Sequence, residues 1–249
     1  TAAVPTAAFT NTKKEGGLTV TKSVKSDLAA DKSKVFSFTV TLNDTTVNGT
    51  YGDMTFTNGV AQFTLSDGES KSATGLAAGI GYTVEETADD NFTTTYDGKT
   101  GTIVVDETQT STVTNTRKTG DLDVSKSVTS STASDKQKDF SFTVTLQDVK
   151  LSGTYGDVTF TDGTATFTLK DGQTKSIKGL PIGISYEVAE ATKEGFITTK
   201  TGDTGSISTT KATAAFTNTR KTGNLQLTKT LVSDAAADKD IEFTFTVVL

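Results

Sequence analysis

Six residues of this 249-residue chain have the types and spacing for one particular covalent reaction. They form two sets, Lys22/Glu86/Asn115 and Lys126/Glu190/Asn218, in which Lys22 and Lys126, like Glu86 and Glu190, are 104 residues apart. Each of the six sits in an alternating stretch, on the face that carries apolar side chains. Lys22 follows Leu18 and Val20, Glu86 follows Tyr82 and Val84, and Asn115 follows Val113; in the second set the neighbours are Leu122 and Val124, Tyr186 and Val188, and Phe216. A buried lysine and a buried glutamate are costly unless they pair or neutralise, and desolvation drives both toward their uncharged forms. Neutral lysine is an amine nucleophile and neutral glutamate an acid. With an asparagine carboxamide between them, the amine can attack the side-chain carbonyl while the carboxyl group polarises the oxygen and shuttles protons; ammonia leaves and a Lys–Asn amide remains. Singly, each residue has an ordinary reading: a lysine that snorkels to water, a glutamate that ends a strand, an asparagine in a turn. Recurrence of the whole set on the same faces is what favours the chemistry.

The elements that must position these groups repeat with the same period. Asn11 to Asn115 is again 104 residues and Lys126 to Lys229 is 103, the length of a whole domain. The chain divides accordingly into 1–14, the terminal strand of a preceding repeat; 15–118 and 119–221, two complete repeats; and 222–249, the first strands of a following incomplete repeat. On this division both ends fall in mid-domain, and Asn11 and Lys229 lack their partners and stay unlinked. Only Arg117-Lys-Thr-Gly120 or Arg220-Lys-Thr-Gly223 joins successive units, without a proline or a Gly/Ser tract, so a stiff rod is expected.

Within a unit, alternation predicts a first strand at Leu18–Lys22 and a second at Phe36–Leu42, mirrored at Phe140–Leu146 and Phe243–Leu249. Tyr51–Phe56 and Val60–Leu65 flank Asn58-Gly59, a type I′ hairpin signal that recurs as Asp162-Gly163. Strands at Tyr82–Glu86, Phe92–Tyr96, Thr102–Val105 and Ser111–Thr116 complete the unit, with counterparts at Tyr186–Glu190, Phe196–Lys200, Ser206–Thr209 and Ala212–Thr219. This is an all-β pattern, tandem β-sandwiches of immunoglobulin-like or prealbumin-like type. The cross-linking chemistry requires the first and last strands of a unit to lie side by side. By alternation Glu85 faces solvent, which leaves Glu86 as the inward carboxyl group.

Composition removes most other functions. Cysteine and histidine are both absent, which excludes disulfides, thiolate or imidazole metal sites and the histidine-based catalytic triads. The net charge is -6 with Lys and Arg scattered, so there is no electrostatic footprint for nucleic acid or an anionic membrane. No run of about 20 apolar residues suggests membrane insertion. Asp89-Asp90-Asn91 and Asp97-Gly98 do not span the frame of a calcium loop and read as solvated turns, and no metal or cofactor is expected. Tyr51 and Tyr155, in the shared G-T-Y-G-D, read as core.

The two Lys/Glu/Asn sets, the Y-x-V-x-E strand and the F-T-N-T ending resemble the collagen-adhesin B-type domains of Gram-positive surface proteins and major pilins, which form spontaneous intramolecular isopeptide bonds. The resemblance covers the whole of both complete units and extends into both partial ones. It implies bonds Lys22–Asn115 and Lys126–Asn218, with Glu86 and Glu190 as the proton-handling residues. It also implies a structural stalk or pilus-like segment, extracellular and at the cell surface or cell wall, whose partners are neighbouring repeats of the same fibre together with a tip adhesin or host ligand. Such cross-linking is single-turnover and not enzymatic in the usual sense. One departure from the pattern is Val113 where the second unit has Phe216, which makes packing beside the first bond looser. No sortase-acceptor lysine motif or cell-wall sorting signal is visible. The alternatives are a module that binds a glycan or host protein, and a sandwich array without cross-links; freely diverging exposed loops, Lys25–Lys34 against Thr129–Lys138, lean toward the spacer.

Overall fold

The computed structural model describes residues 4, 6–147 and 150–248. Among these, the first unit consists of β1 (Glu15–Lys25), β2 (Phe36–Leu42), β3 (Gly49–Tyr51), β4 (Met54–Phe56), β5 (Val60–Leu65), β6 (Ser70–Ala77), β7 (Gly81–Glu86), β8 (Phe92–Asp97), β9 (Thr100–Thr102) and β10 (Thr108–Arg117), with a one-turn helix α1 (Ala29–Lys32) after β1. The second repeats the order as β11 (Thr119–Thr129), β12 (Phe140–Leu146), β13 (Gly153–Tyr155), β14 (Val158–Phe160), β15 (Thr164–Leu169), β16 (Thr174–Pro181), β17 (Ser185–Glu190), β18 (Phe196–Thr201), β19 (Thr204–Ser206) and β20 (Ala212–Arg220).

Each unit is a sandwich of two four-stranded sheets. In the first unit the sheets run β6-β1-β10-β8 and β5-β2-β7-β9, with β3-β4 as a separate hairpin; the second unit has β16-β11-β20-β18, β15-β12-β17-β19 and β13-β14. Alternation explains the layering. Phe36, Phe38, Val40 and Leu42 of β2 are all at most 3% exposed and face Leu18, Val20 and Val24 of β1 across one continuous core. The first and last strands lie side by side and run parallel: Lys22 is opposite Val113 and Val24 opposite Asn115, while Lys126 is opposite Phe216 and Val128 opposite Asn218. A parallel pair joins distant ends of a chain, as these do, because a tight hairpin makes only antiparallel neighbours.

The structure differs from the sequence expectation at several strands. β6 and β16, which flank the first strand of each unit, were not expected; Ser70–Ala77 is rich in Ser, Thr and Gly and alternates weakly. Tyr51–Phe56 is not one strand but two, broken at Gly52 (φ 58°) so that β3 folds back on β4. The strands expected at Thr102–Val105 and Ser206–Thr209 are shorter and begin earlier, as β9 and β19. Asn58-Gly59 and Asp162-Gly163 do form two-residue turns with positive φ at both positions, 50° and 77°, then 48° and 76°.

Residues 6–14 and 221–248 contain no strand among the described residues; a 3-10 turn at Ala236–Asp240 is the regular element there, and Leu249 lies outside the described residues. Phe9 is 92% exposed, Leu225 69% and Phe243 45%, so the alternating pattern is present without neighbours to pair with. A strand needs a partner to satisfy its amide groups, which is why period alone does not make one here. A single residue, Lys118, separates β10 from β11. Across that junction Leu28 packs on the second unit's core, Asp27 accepts a hydrogen bond from the Tyr155 hydroxyl at 3.0 Å, and Arg117 donates to the Ile182 carbonyl. No helix among the described residues is long and apolar enough to cross a membrane.

Gly98, in the turn between β8 and β9, has φ 78°, and a Cβ there would come within 2.2 Å of the Thr110 carbonyl oxygen. Gly68 has a similar φ of 79° with open space around it. Gly68→Ala is therefore expected to cost only the left-handed strain, about 1 kcal/mol, and Gly98→Ala clearly more; equal losses in urea unfolding would contradict the close approach at Gly98.

Candidate functional site

Each sandwich encloses a cluster built from three strands. In the first unit Lys22 comes from β1 and Asn115 from β10, neighbours in one sheet, while Glu86 ends β7 in the facing sheet, opposite Phe38. In the second, Lys126 comes from β11, Asn218 from β20, and Glu190 from the end of β17, opposite Phe142. Lys22 and Asn115 are 0% exposed and Glu86 9%; Lys126 is 3% and Asn218 0% exposed, and the Glu190 side chain is 2% exposed. Glu85 points outward, 63% exposed at its side chain and paired with Lys99.

The geometry centres on the glutamate. Lys22 Nζ lies 2.8 Å from Glu86 Oε2, while Asn115 Nδ2 donates to Glu86 Oε1 at 2.5 Å. Lys126 Nζ lies 3.4 Å from Glu190 Oε2 and Asn218 Nδ2 donates to Glu190 Oε1 at 2.6 Å. One carboxylate thus holds the amine on one oxygen and the amide nitrogen on the other. Although Lys22 Nζ is close to Oε2, the pair has the distance of a hydrogen bond without its angles, and both atoms count as buried and unsatisfied. Lys126 Nζ also donates to the Ser127 carbonyl at 2.9 Å. The carboxamide oxygens, Asn115 Oδ1 and Asn218 Oδ1, are buried without a hydrogen-bond partner. In both units the carboxyl group accepts from the amide nitrogen, the donor end of the carboxamide.

Burial pushes both amines below the ordinary lysine value, and the nearby glutamates only partly restore it. Each amine also faces an aromatic ring, Lys22 Nζ 4.5 Å from the Phe36 centroid and Lys126 Nζ 4.3 Å from that of Phe140. In the sequence Phe36 and Phe140 read only as the opening residues of an alternating strand. Their place at the opening of the strand beside each lysine, in both repeats, was the available signal.

Asn11 and Lys229 are exposed, and Lys229 Nζ donates to the Thr230 carbonyl. Asp89 pairs with Lys34 and caps the Asn91 amide. Among the described residues no group of three or more carboxylates converges as a metal site would require. Tyr155 is 5% exposed and Tyr51 packs at the edge of the first core.

A pair of tandem β-sandwiches, each with a buried Lys–Glu–Asn cluster joining its first and last strands, is the class of protein that this geometry defines. The chain belongs to the DUF7601 family, a domain of unknown function whose model matches it twice, over residues 16–117 and 120–220. A 76-residue stretch, 28% of the chain, is 49% identical to the pilus tip adhesin Cpa of Streptococcus pyogenes and spans 11% of that protein's length. Among solved structures, the fold is similar to the major pilin T-13 of Streptococcus pyogenes, at a TM-score of 0.50 and 24% identity over 84% of this chain and 98% of that one. The major pilin T3.2 of the same species is similar too, at a TM-score of 0.50 and 21% identity over 84% and 99%.

In protein carrying Asn115→Ala and Asn218→Ala, with both carboxamides removed, the lysines remain titratable. The unfolded chain keeps their protons up to about the ordinary value of 10.5, whereas the folded units release them at lower pH. Between the two values the unfolded state binds more protons, so stability rises with pH. The urea midpoint is expected to climb as pH approaches 10.5, and further replacement of Lys22 and Lys126 by Met should abolish the climb. A midpoint that responds to pH equally in both proteins would refute the lowered amines.

Proposed function

We propose that the chain is a load-bearing stalk or pilus-like segment of a Gram-positive cell-surface protein, in which each complete repeat closes its own Lys–Asn isopeptide bond, in the manner of collagen-adhesin B-type domains. The supporting observation is that a single buried carboxylate in each unit contacts both the amine and the amide nitrogen. The 49% identity to a pilus tip adhesin and the pilin-like fold support a place outside the cell, at its surface.

The reaction follows from this arrangement. A lysine whose burial favours the neutral amine attacks Cγ of the asparagine, forming the Nζ–Cγ bond as the Cγ–Nδ2 bond breaks. Overall one amine hydrogen is exchanged for the acyl group and leaves on ammonia. The glutamate serves as the shuttle: its carboxylate, in contact with both nitrogens, takes the proton that Nζ loses as the Nζ–Cγ bond forms and returns it to Nδ2 as the Cγ–Nδ2 bond breaks, so that ammonia leaves and the carboxylate is regenerated. No water competes at the site, since all the reacting side chains are sealed in the core.

The function of such bonds is mechanical. Asn115 lies 93 residues after Lys22, and closing a loop of this size restricts the unfolded chain by about 4–5 kcal/mol on the disulfide entropy model. Force that enters at β1 and leaves at β10 passes through the amide between them, so the sandwich core bears little of it. The partners in this reading are neighbouring repeats of the fibre, with the cargo at its tip.

Intact mass tests the proposal. Loss of ammonia lowers the mass by about 17 Da per bond, and two bonds are expected. Glu190→Ala should remove one deficit and leave the other. An unshifted mass would sink the proposal, and survival of both deficits in Glu190→Ala would deny that glutamate its role.

A further inference from the structure

A second repeated constellation lies beside each cluster. Arg117 follows Asn115 by two residues on β10, hence on the same inward face, and its Nη1 donates to Asp31 Oδ1 at 3.1 Å. Asp31 belongs to α1, in the loop joining β1 to β2, is 5% exposed, and accepts a further hydrogen bond from Ser26 Oγ at 2.5 Å. The guanidinium lies 5.3 Å from the Phe92 centroid, Phe92 meets Phe36 edge-on at 5.6 Å, and Phe36 carries Lys22 Nζ on its face. A column therefore runs from Asp31 through Arg117 and two rings to the reacting amine.

The second unit builds the same column. Arg220 lies 3.6 Å from Asp135 and 5.5 Å from the Phe196 centroid, Phe196 meets Phe140 edge-on at 5.7 Å, and Phe140 lies under Lys126. Ser130 donates to Asp135 as Ser26 does to Asp31, and Lys138 pairs with Asp135 at 2.6 Å. Residues 222–248 supply a natural comparison. There Ser233 donates to Asp238 at 2.6 Å and Lys229 Nζ lies 4.3 Å from the Phe243 ring, with no sandwich around them. The serine–aspartate and lysine–phenylalanine halves of the column therefore form locally, and the arginine is the part that only the terminal strand brings.

We infer that Arg117 and Arg220, each held by its buried aspartate, are positioning residues for the cross-link: they fix the terminal strand against the strands that carry the lysine and its supporting ring. This rests on the isopeptide reading above. Amine attack on a carboxamide demands a near-attack geometry, and displacement of about 1 Å is enough to cost roughly a hundredfold in rate. A strand end anchored two residues past the asparagine limits that displacement without touching the reacting atoms. Neither residue transfers a proton or contacts the carboxamide.

The test uses the whole chain with Asn218→Ala, so that any mass deficit reports the first unit. In that background Arg117→Gln is expected to leave a measurable unlinked fraction on isolation, which then closes at least tenfold more slowly than in the parent. Asp31→Asn should slow closure to a similar extent. Combining the two should be no slower than either alone, as for residues that act as one unit. Arg117→Lys, which keeps a cation for Asp31, should recover most of the rate, and a merely space-filling role would not give that rescue. Should Arg117→Gln leave the first unit unfolded, the Asp31→Asn and Arg117→Lys proteins decide. Complete linkage of Arg117→Gln on isolation, additive slowing, or an Arg117→Lys protein as slow as Arg117→Gln would overturn the inference while leaving the cross-link intact. A parent without any deficit would overturn the cross-link reading itself, and this inference with it.

Discussion

The parallel pairing of the first strand with the last is the constraint on which each unit depends. It sets β1 beside β10 and β11 beside β20, and so brings together residues separated by most of a domain. Every other element of the unit lies between those two strands in sequence, so the pair closes a loop of most of the domain. Long-range contacts of this kind are slow to make and cheap to lose, because their loop entropy is settled before they give anything back. The proposed covalent tie between the same two strands would remove that weakness at the point where it is greatest.

The cluster itself would be a liability in an ordinary core. A lysine at 0% exposure, a carboxylate and an unsatisfied amide oxygen share one apolar interior. Such a group is destabilising unless fully partnered, and the misaligned Lys22–Glu86 contact and the orphaned Asn115 Oδ1 show that it is not fully partnered. On the proposed reaction, conversion to an amide would replace the buried amine by a neutral group that cannot take up a charge, which relieves part of the cost that burial imposes. The two units differ in how closely they are drawn in. Lys22 sits 2.8 Å from its glutamate and Lys126 3.4 Å from its own, and the latter is held back by the Ser127 carbonyl. The wider contact is in the unit that has Phe216, which stacks edge-on with Phe142 at 5.2 Å where the first unit has Val113.

The single-residue junction gives Arg117 a second contact that Arg220 does not show. Arg117 donates to the Ile182 carbonyl of the next unit as well as to Asp31, and its side chain is 12% exposed against 42% for Arg220. Leu28 and Asp27 add apolar and polar contacts across the same boundary. The end of one unit's terminal strand is thus fixed on both sides, by its own loop and by its neighbour.

What the sequence determined by itself was the identity and facing of the six clustered residues, since strand alternation places Lys22, Glu86 and Asn115 among apolar neighbours whatever the strands pair with. It also determined the two-residue turns at Asn58-Gly59 and Asp162-Gly163, where only a positive φ at both positions closes the hairpin. Alternation is local and survives any topology. Tertiary structure decided the strand neighbours beyond the first–last pair and the short hairpins, and with that the role of β6, whose Ser- and Thr-rich sequence gains its place only by pairing with β1. It decided that the carboxylate faces the amide nitrogen, a matter of approach that no spacing encodes. It decided that Arg117 meets Asp31, 86 residues away in the chain. And it left Leu225 and Phe243 exposed in spite of a strand-like pattern, because a strand exists only when another strand takes up its hydrogen bonds.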